Sequence, residues 1–435
     1  MSKLKRKGNP NLKSNVKGDM FMLEPIEHFT AHSHPVSKTE LSAEYAMAET
    51  LIDQAMKAYS GSERERKLPN AFAAIFDLLV AAEYYSTIRN SGWLLCAGES
   101  HRSKLAIYPF TNACPRCALQ KEFAYSKSNK PESGQIGTFT TRLLAVLVDC
   151  LLSKRGFNEI ELRLGKEPID LILIDKTNKI VLLCEVKAAP LTTPPMCVDY
   201  AHRSLVSGHS KIGVLDFDPN TQYYIMIPYR SSGEQWSYDL VPITLSPSNK
   251  DRVYESLAEK FCVRQQFEDY IAFWNSAFRA YSEKTRSEGV YWLTNACGAP
   301  FPRPDDWPPR DPNNPKRGFN TISDSKTSVG MDRTDDIKKG TYQMLKIGIE
   351  DKLLASDYTV YAAIMSNIHA VRHYDDYLRL VRNIVWTPDE TNRATKVRDL
   401  PDDTKLYNLF DGIITLTETY SRNEWIEERF NFSKY

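Results

Sequence analysis

The sequence predicts an α/β (α+β) fold, and three observations carry that expectation. Two short runs rich in Ile, Leu and Val, Ile169 to Ile174 and Ile180 to Val186, flank the polar segment Asp175-Lys176-Thr177-Asn178-Lys179. That is the pattern of two buried strands joined by a tight, solvated turn. A helical run, Phe139 to Lys154, stops at Gly156 just before them. Farther on, Asp335 to Ile347 reads as a helix, Tyr358 to Ser366 as a strand and Ala370 to Val381 as a helix.

Taken in order, residues 1–38 read as a flexible arm. Lys3, Lys5, Arg6, Lys7, Lys13 and Lys17 mingle there with Gly, Pro and Asn, which favours disorder in isolation and suits either contact with phosphate or plain solubility. Thr39 to Tyr59 and Asn70 to Tyr85 show helical periodicity, so 39–130 is expected to be a helical region. Within it, Cys114-Pro115-Arg116-Cys117 offers two thiolates at the spacing of tetrahedral zinc, with Cys96 and His101 upstream to complete a Cys₃His structural site. A redox pair and a chance pair in a loop are the rival readings. Eight cysteines in 435 residues do not suggest a disulfide framework. Cys150, Cys184, Cys197, Cys262 and Cys297 are scattered and read as core residues.

Ser126 to Ser133 reads as a linker. After Leu191 the regular pattern fails at Thr192-Thr193-Pro194-Pro195; Gln222 to Pro228 then reads as a strand and Arg252 to Lys284 as helical. Pro300, Pro302, Pro304, Pro308, Pro309, Pro312 and Pro315 exclude helix or central strand and mark a long surface loop. Most of 192–319 therefore reads as an insertion.

The chemistry is concentrated in the two apolar runs. Asp170 lies at the start of the first and Glu185 at the end of the second. With a two-residue loop at Thr177-Asn178, the register sets these carboxylates opposite one another, with Cβ atoms roughly 5 Å apart. Lys187 returns to the same face two residues later. Two carboxylates suit Mg²⁺, which takes oxygen ligands and keeps waters for a phosphate to displace. A lysine beside the ion can orient its bound water or stabilise the transition state of phosphodiester hydrolysis. The bland alternative is a solvated Glu-x-Lys at a strand end, but three charged groups among apolar strand residues are costly without a metal or partners.

Pro168-Ile169-Asp170 with Glu185-Val186-Lys187 resembles the PD-(D/E)xK nuclease signature. The stretches Glu185 to Leu191 and Gly330-Met331-Asp332-Arg333-Thr334-Asp335-Asp336-Ile337-Lys338-Lys339 are similar to segments of type II restriction endonucleases. The resemblance implies a restriction-endonuclease-like core, a mixed sheet flanked by helices, over 131–191 and 320–390. The insertion at 192–319 would serve DNA recognition or dimerisation, and 391–435 would be a C-terminal extension. It implies catalytic Asp170, Glu185 and Lys187, with Mg²⁺ on Asp170, Glu185 and the Val186 backbone. The activity would be cutting of both strands of specific double-stranded DNA without ATP, by an enzyme whose system partner is a DNA methyltransferase. Cutting two strands with one site per chain implies a homodimer. One departure is that Gly134-Gln135-Ile136-Gly137-Thr138, where the family often carries an acidic residue, has none; that bears on any second metal.

Arg333, Lys338, Lys339 and Gln343, near Lys346 and Tyr342, are candidate DNA contacts, against the plain reading of a solvated helix face. Asp324-Ser325-Lys326 is a rival Asp-x-Lys element into which no apolar strand runs, and His369 with His373 is a rival metal pair lacking a third ligand. A repair or junction-resolving nuclease and a non-catalytic zinc-containing DNA-binding protein are the alternative functions.

Composition sets outer bounds. A chain 42% hydrophobic supports two or three cored domains. A net charge of +1 excludes a uniformly basic surface, so DNA contact must come from local patches. No Gly-x-x-x-x-Gly-Lys-Ser/Thr phosphate loop occurs. Leu143 to Leu152 is broken by Asp149, so no membrane-spanning run of about 18 residues is expected, and no signal segment is seen. The expected location is the bacterial or archaeal cytoplasm.

Overall fold

The computed structural model describes residues 25–86, 93–96, 104–107, 114, 117, 133–199, 212–215, 220–230, 236–246, 248–285, 289–295, 329–352, 357–387 and 395–435. In chain order, α1 (Pro25–Ala31), β1 (His34–Pro35), α2 (Ser42–Ala58) and α3 (Ser62–Ser86) precede β2 (Trp93–Cys96) and β3 (Lys104–Ile107). α4 (Ser133–Lys154) leads into β4 (Ile160–Leu164), β5 (Leu171–Asp175) and β6 (Ile180–Val186). β7 (Met196–Asp199), β8 (Ile212–Leu215), β9 (Tyr223–Arg230), β10 (Trp236–Ile243), α5 (Asp251–Phe261) and α6 (Arg264–Glu283) follow. α7 (Thr334–Glu350), β11 (Thr359–Ser366), β12 (Val385–Trp386), β13 (Tyr407–Asn408), β14 (Gly412–Thr415), β15 (Thr419–Ser421) and α8 (Glu424–Phe430) complete the chain.

The fold is mixed α/β. A seven-stranded mixed sheet in the order β1-β4-β5-β6-β11-β14-β15 is flanked by helices, with β6, β11 and β14 running parallel. Every residue of β5 and β6 is buried because both faces of the sheet are covered. Leu171, Leu173, Leu182 and Cys184 join the core under α2, α3 and α4, whereas Ile172, Ile174, Val181 and Leu183 meet Ile337, Met344 and Ile347 of α7. The two-residue alternation of a strand thus divides one continuous apolar run between two cores.

Several expectations change. The β5–β6 loop is Lys176 to Lys179 rather than two residues, with Lys179 at φ 52° and Asp175 Oδ1 accepting from the Asn178 amide at 2.8 Å. A four-residue loop centred on the same point preserves the register, so Leu171 still opposes Cys184. The C-terminal segment is no appendage, since β14 and β15 extend the sheet and Trp425 of α8 donates to Asp175 at 2.8 Å. Part of the arm is likewise structural, as β1 pairs with β4.

The stretch 192–319 does not stand apart from 39–130. β7, β8, β9 and β10 join β2 and β3 in a six-stranded sheet, β10-β9-β7-β3-β2-β8, and α5 packs on α2 and α3. The helical run from Arg252 breaks into α5 and α6 at Cys262-Val263. Ala370 to Val381 is not a regular helix but a wide turn over Tyr374–Leu378, closed by Arg379 N to Tyr374 O at 2.9 Å. Residues Gly134–Lys154 form the one described helix long and apolar enough to cross a membrane, with mean hydropathy 1.5, despite Asp149. Of that window 61% is buried inside the fold, and Asp149 accepts from the Tyr45 hydroxyl at 2.6 Å.

Candidate active site

Asp170 extends the β5–β6 ladder by one residue, its amide donating to Cys184 O at 3.1 Å, and it therefore opposes Glu185. Its Oδ2 accepts from the Val186 amide at 2.9 Å, which fixes the carboxylate over the end of β6. Lys187, two residues past Glu185, donates to the Glu185 carboxylate and, at 3.4 Å, to the Val186 carbonyl. The structure thus brings Asp170, Glu185 and Lys187 together. Glu185 is 6% exposed at its side chain and Lys187 21%. Burial, followed by the adjacent Asp170 charge, pushes Glu185 up to about 7 against the opposing pull of Lys187.

The exit of β6 is pinned on all sides. Lys187 N donates to Met365 O at 2.9 Å, and the Asn367 amide brackets Ala189, accepting from its N–H and donating to its carbonyl at 2.9 Å. Gly330 N also reaches Ala189 O at 2.8 Å. Buried Asp77 then receives Leu191 N, Thr192 N and Trp274 Nε1, and desolvation pushes its carboxyl up to about 8. From the other side α7 closes on the site through Gly340, where a Cβ would lie 3.7 Å from Lys187 Cγ and 3.9 Å from Glu185 Cγ.

A cleft of about 790 Å³ opens beside them. Asp170 and Lys187 line it, with Arg333, Asp336 and Lys339 on the α7 wall and Thr138, Thr141 and Arg142 on the α4 wall. Of the candidate DNA contacts, Arg333 and Lys339 face the cleft, and Arg333 also pairs with Asp335 at 3.6 Å. Lys338 turns away, its ammonium 5.7 Å from the Tyr377 ring centre, and half-buried Gln343 does not line the cleft. The first turn of α4 contains no acidic residue, consistent with the gap in the sequence. Thr141, Arg142 and Glu167 are cleft residues that the sequence does not single out, and Thr138 and Asp336 lie in stretches that it does single out but gives no role; the close spacing of Gly134 and Gly137 at a helix start is the one signal there.

The second constellation lies beside the six-stranded sheet, at Cys96 of β2. Cys96, Cys114 and Cys117 are buried with their sulfur atoms all within 4.8 Å of one another, and Cys96 Sγ is 3.7 Å from Cys117 Sγ. A tetrahedron with bonds of about 2.3 Å has edges of about 3.8 Å, so this cluster can hold a metal ion such as zinc. Burial and the neighbouring thiols hold the Cys114 thiol well above its ordinary range, the situation a bound cation would reverse. Cys197 and Met226 pack beside it. His101, Cys297, Asp324 and Lys326 lie outside the described residues. His369 and His373 do not converge: His373 Nδ1 meets Asp332 at 2.9 Å, whereas the His369 ring packs on Tyr374 and Tyr420.

Comparison of the chain with protein-family models, curated proteins and solved structures finds no match. The functional reading therefore rests on the residues themselves.

Proposed function

We propose that the chain is a Mg²⁺-dependent endonuclease of double-stranded DNA, of the type II restriction kind, built on a PD-(D/E)xK core. The observation that carries this reading is Glu185, a buried carboxylate facing Asp170, where Asp170 and Lys187 line a cleft that also has Arg142, Arg333 and Lys339 on its walls. Two carboxylates so placed repel each other, and a hard cation relieves that repulsion. Asp170, Glu185 and the Val186 carbonyl are the groups that would hold Mg²⁺, which when bound neutralises phosphate charge and acidifies water.

The chain's own groups supply the rest. Lys187 holds an ammonium on the same face as Glu185, where it stabilises charge developing on the attacked phosphate. Arg333 and Lys339 draw the backbone of the nucleic acid into the cleft. The pinned exit of β6 keeps Lys187 from drifting, as transition-state electrostatics requires. With one site per chain, duplex cleavage calls for a symmetric pair of chains. In the second sheet, Cys96, Cys114 and Cys117 would take a structural Zn²⁺ with His101 as fourth ligand, clamping the Cys-x-x-Cys segment to β2.

Incubation of the protein with plasmid and phage DNA in Mg²⁺ tests the reading. Discrete fragments are the expected outcome. A smear, or selective cutting of branched DNA, assigns the site to a structure-directed nuclease, and intact DNA in both Mg²⁺ and Mn²⁺ rejects the activity.

A further inference from the structure

A second cavity, of about 310 Å³, sits at the β14–β15 edge of the main sheet. By register, Glu185, Ile364, Ile413 and Tyr420 form one row across β6, β11, β14 and β15. Three strand spacings place Tyr420 about 14 Å from Glu185, beyond the point where Gly340 of α7 approaches Ile364. Arg382, Asn383, Tyr420, Arg422 and Glu427 line this cavity, and none belongs to the cleft.

We propose that this cavity binds a nucleoside monophosphate carrying an amino group on its base. Its volume falls in the range of small-ligand sites. Most of the polar groups around it are already engaged. Asp411 is paired with Lys352 and accepts from Ala362 N, Ser421 Oγ donates to Asp411 O, and Thr419 Oγ1 donates to Phe430 O. Two guanidinium groups and one carboxylate oxygen are left to meet a ligand.

Arg382 is held in place, with its guanidinium carbon 5.6 Å from the Tyr374 ring centre and 5.1 Å from that of Tyr420, and it donates to the Tyr374 hydroxyl. The two rings stack at 16°. One guanidinium N–H is used in this way, and the others remain to meet a phosphate. Arg422 is exposed and oriented by Asn383 Oδ1 at 2.5 Å, which brings a second cation to the mouth. A planar base stacks well on such a guanidinium and tyrosine surface.

Glu427 decides between a bare anion and a nucleotide. Its Oε2 is buried without a hydrogen-bond partner among the described residues, a costly state that a donor would relieve. Hydrogen phosphate can offer that carboxylate only its P–OH, whereas the exocyclic amine of adenine or cytosine brings N–H donors to it while the phosphate takes the arginines. This site is independent of the proposed hydrolysis.

Equilibrium dialysis of the full-length protein without added divalent ion, using AMP, CMP, TMP and inorganic phosphate, tests it. AMP and CMP are expected to bind about tenfold or more tighter than phosphate, and TMP, which lacks the amine, more weakly than CMP. Arg422→Ala, an exposed change whose fold is checked by thermal melting, should weaken AMP about tenfold. Glu427→Gln should bring CMP and TMP to within about twofold. Asp170→Ala should leave all of these values unchanged, which separates this cavity from the cleft. The proposal is overturned if phosphate binds as tightly as AMP, if the Arg422 and Glu427 variants bind like the parent, if Asp170→Ala abolishes binding, or if no nucleotide binds.

Discussion

Lys187 pairs with the carboxylate of Glu185, two residues earlier on the same face of β6. Asp170 lies opposite, so a second carboxylate faces this pair, and the charge of the group responds to both pH and cations.

The pH response has a definite sign. A carboxyl raised from 4.5 to about 7 on folding costs stability once it ionises. The penalty is absent below 4.5, grows as pH rises and is complete above about 7. Without added divalent ion, the protein should lose stability between pH 5 and 8 more steeply than Glu185→Gln does, as urea unfolding will show. Equal slopes would remove Glu185 as the source. Because Mg²⁺ requires the ionised carboxylate, calorimetric Mg²⁺ affinity should rise over the same window.

Lys187→Ala should lower single-turnover cleavage by about 10² or more with little change in DNA affinity, because the ammonium acts on charge that develops in the transition state. A lysine that only clamps phosphate would instead weaken binding and reduce its salt dependence by about one unit of slope. Single-turnover rates beside a salt titration of binding separate the two roles.

Much of this site was legible in the chain. β5 and β6 are short, unbroken apolar runs around a polar turn, and a loop centred between Thr177 and Asn178 fixes Asp170 against Glu185 whether it holds two residues or four. What was illegible depends on distant pairing. β14 is four residues long and gains its place only by lying parallel to β11, and β7, just after Pro194-Pro195, pairs with β3 some ninety residues earlier. Such strands carry no local period that exceeds loop background. Thr138 and Thr141 of the α4 wall are uncharged and belong to no apolar period, so nothing in the sequence marks them. The wide turn after His373 reads as helix in the sequence because nothing local reveals that buried Asp332 collects the amides of Arg372 and His373.

Asp332 supplies the next prediction. It also accepts the Tyr281 hydroxyl at 2.7 Å and joins the segment before α7 to the loop that follows β11. Asp332→Ala leaves those donors unpaired in the interior and should cost about 3 kcal/mol or more in urea unfolding. A loss below about 1 kcal/mol would show that water replaces the carboxylate.

For the cysteine cluster, the protein purified without chelator should contain about one zinc per chain. Cys114→Ser should lose the metal and melt earlier, because structural zinc contributes directly to folding. Elemental analysis that finds no metal, or an unchanged melting temperature in Cys114→Ser, would make the three thiols a plain core cluster.

The central claim is that Asp170 and Glu185 together form a divalent-cation site that hydrolyses phosphodiester bonds. Supercoiled plasmid incubated in Mg²⁺ with the parent protein, Asp170→Ala and Glu185→Ala, all verified as folded, tests it most directly. The account predicts linear or fragmented DNA with the parent and a rate at least about 10³-fold lower with either variant, which should still shift DNA in a gel containing Ca²⁺. Cutting by the variants at the parent rate would contradict it.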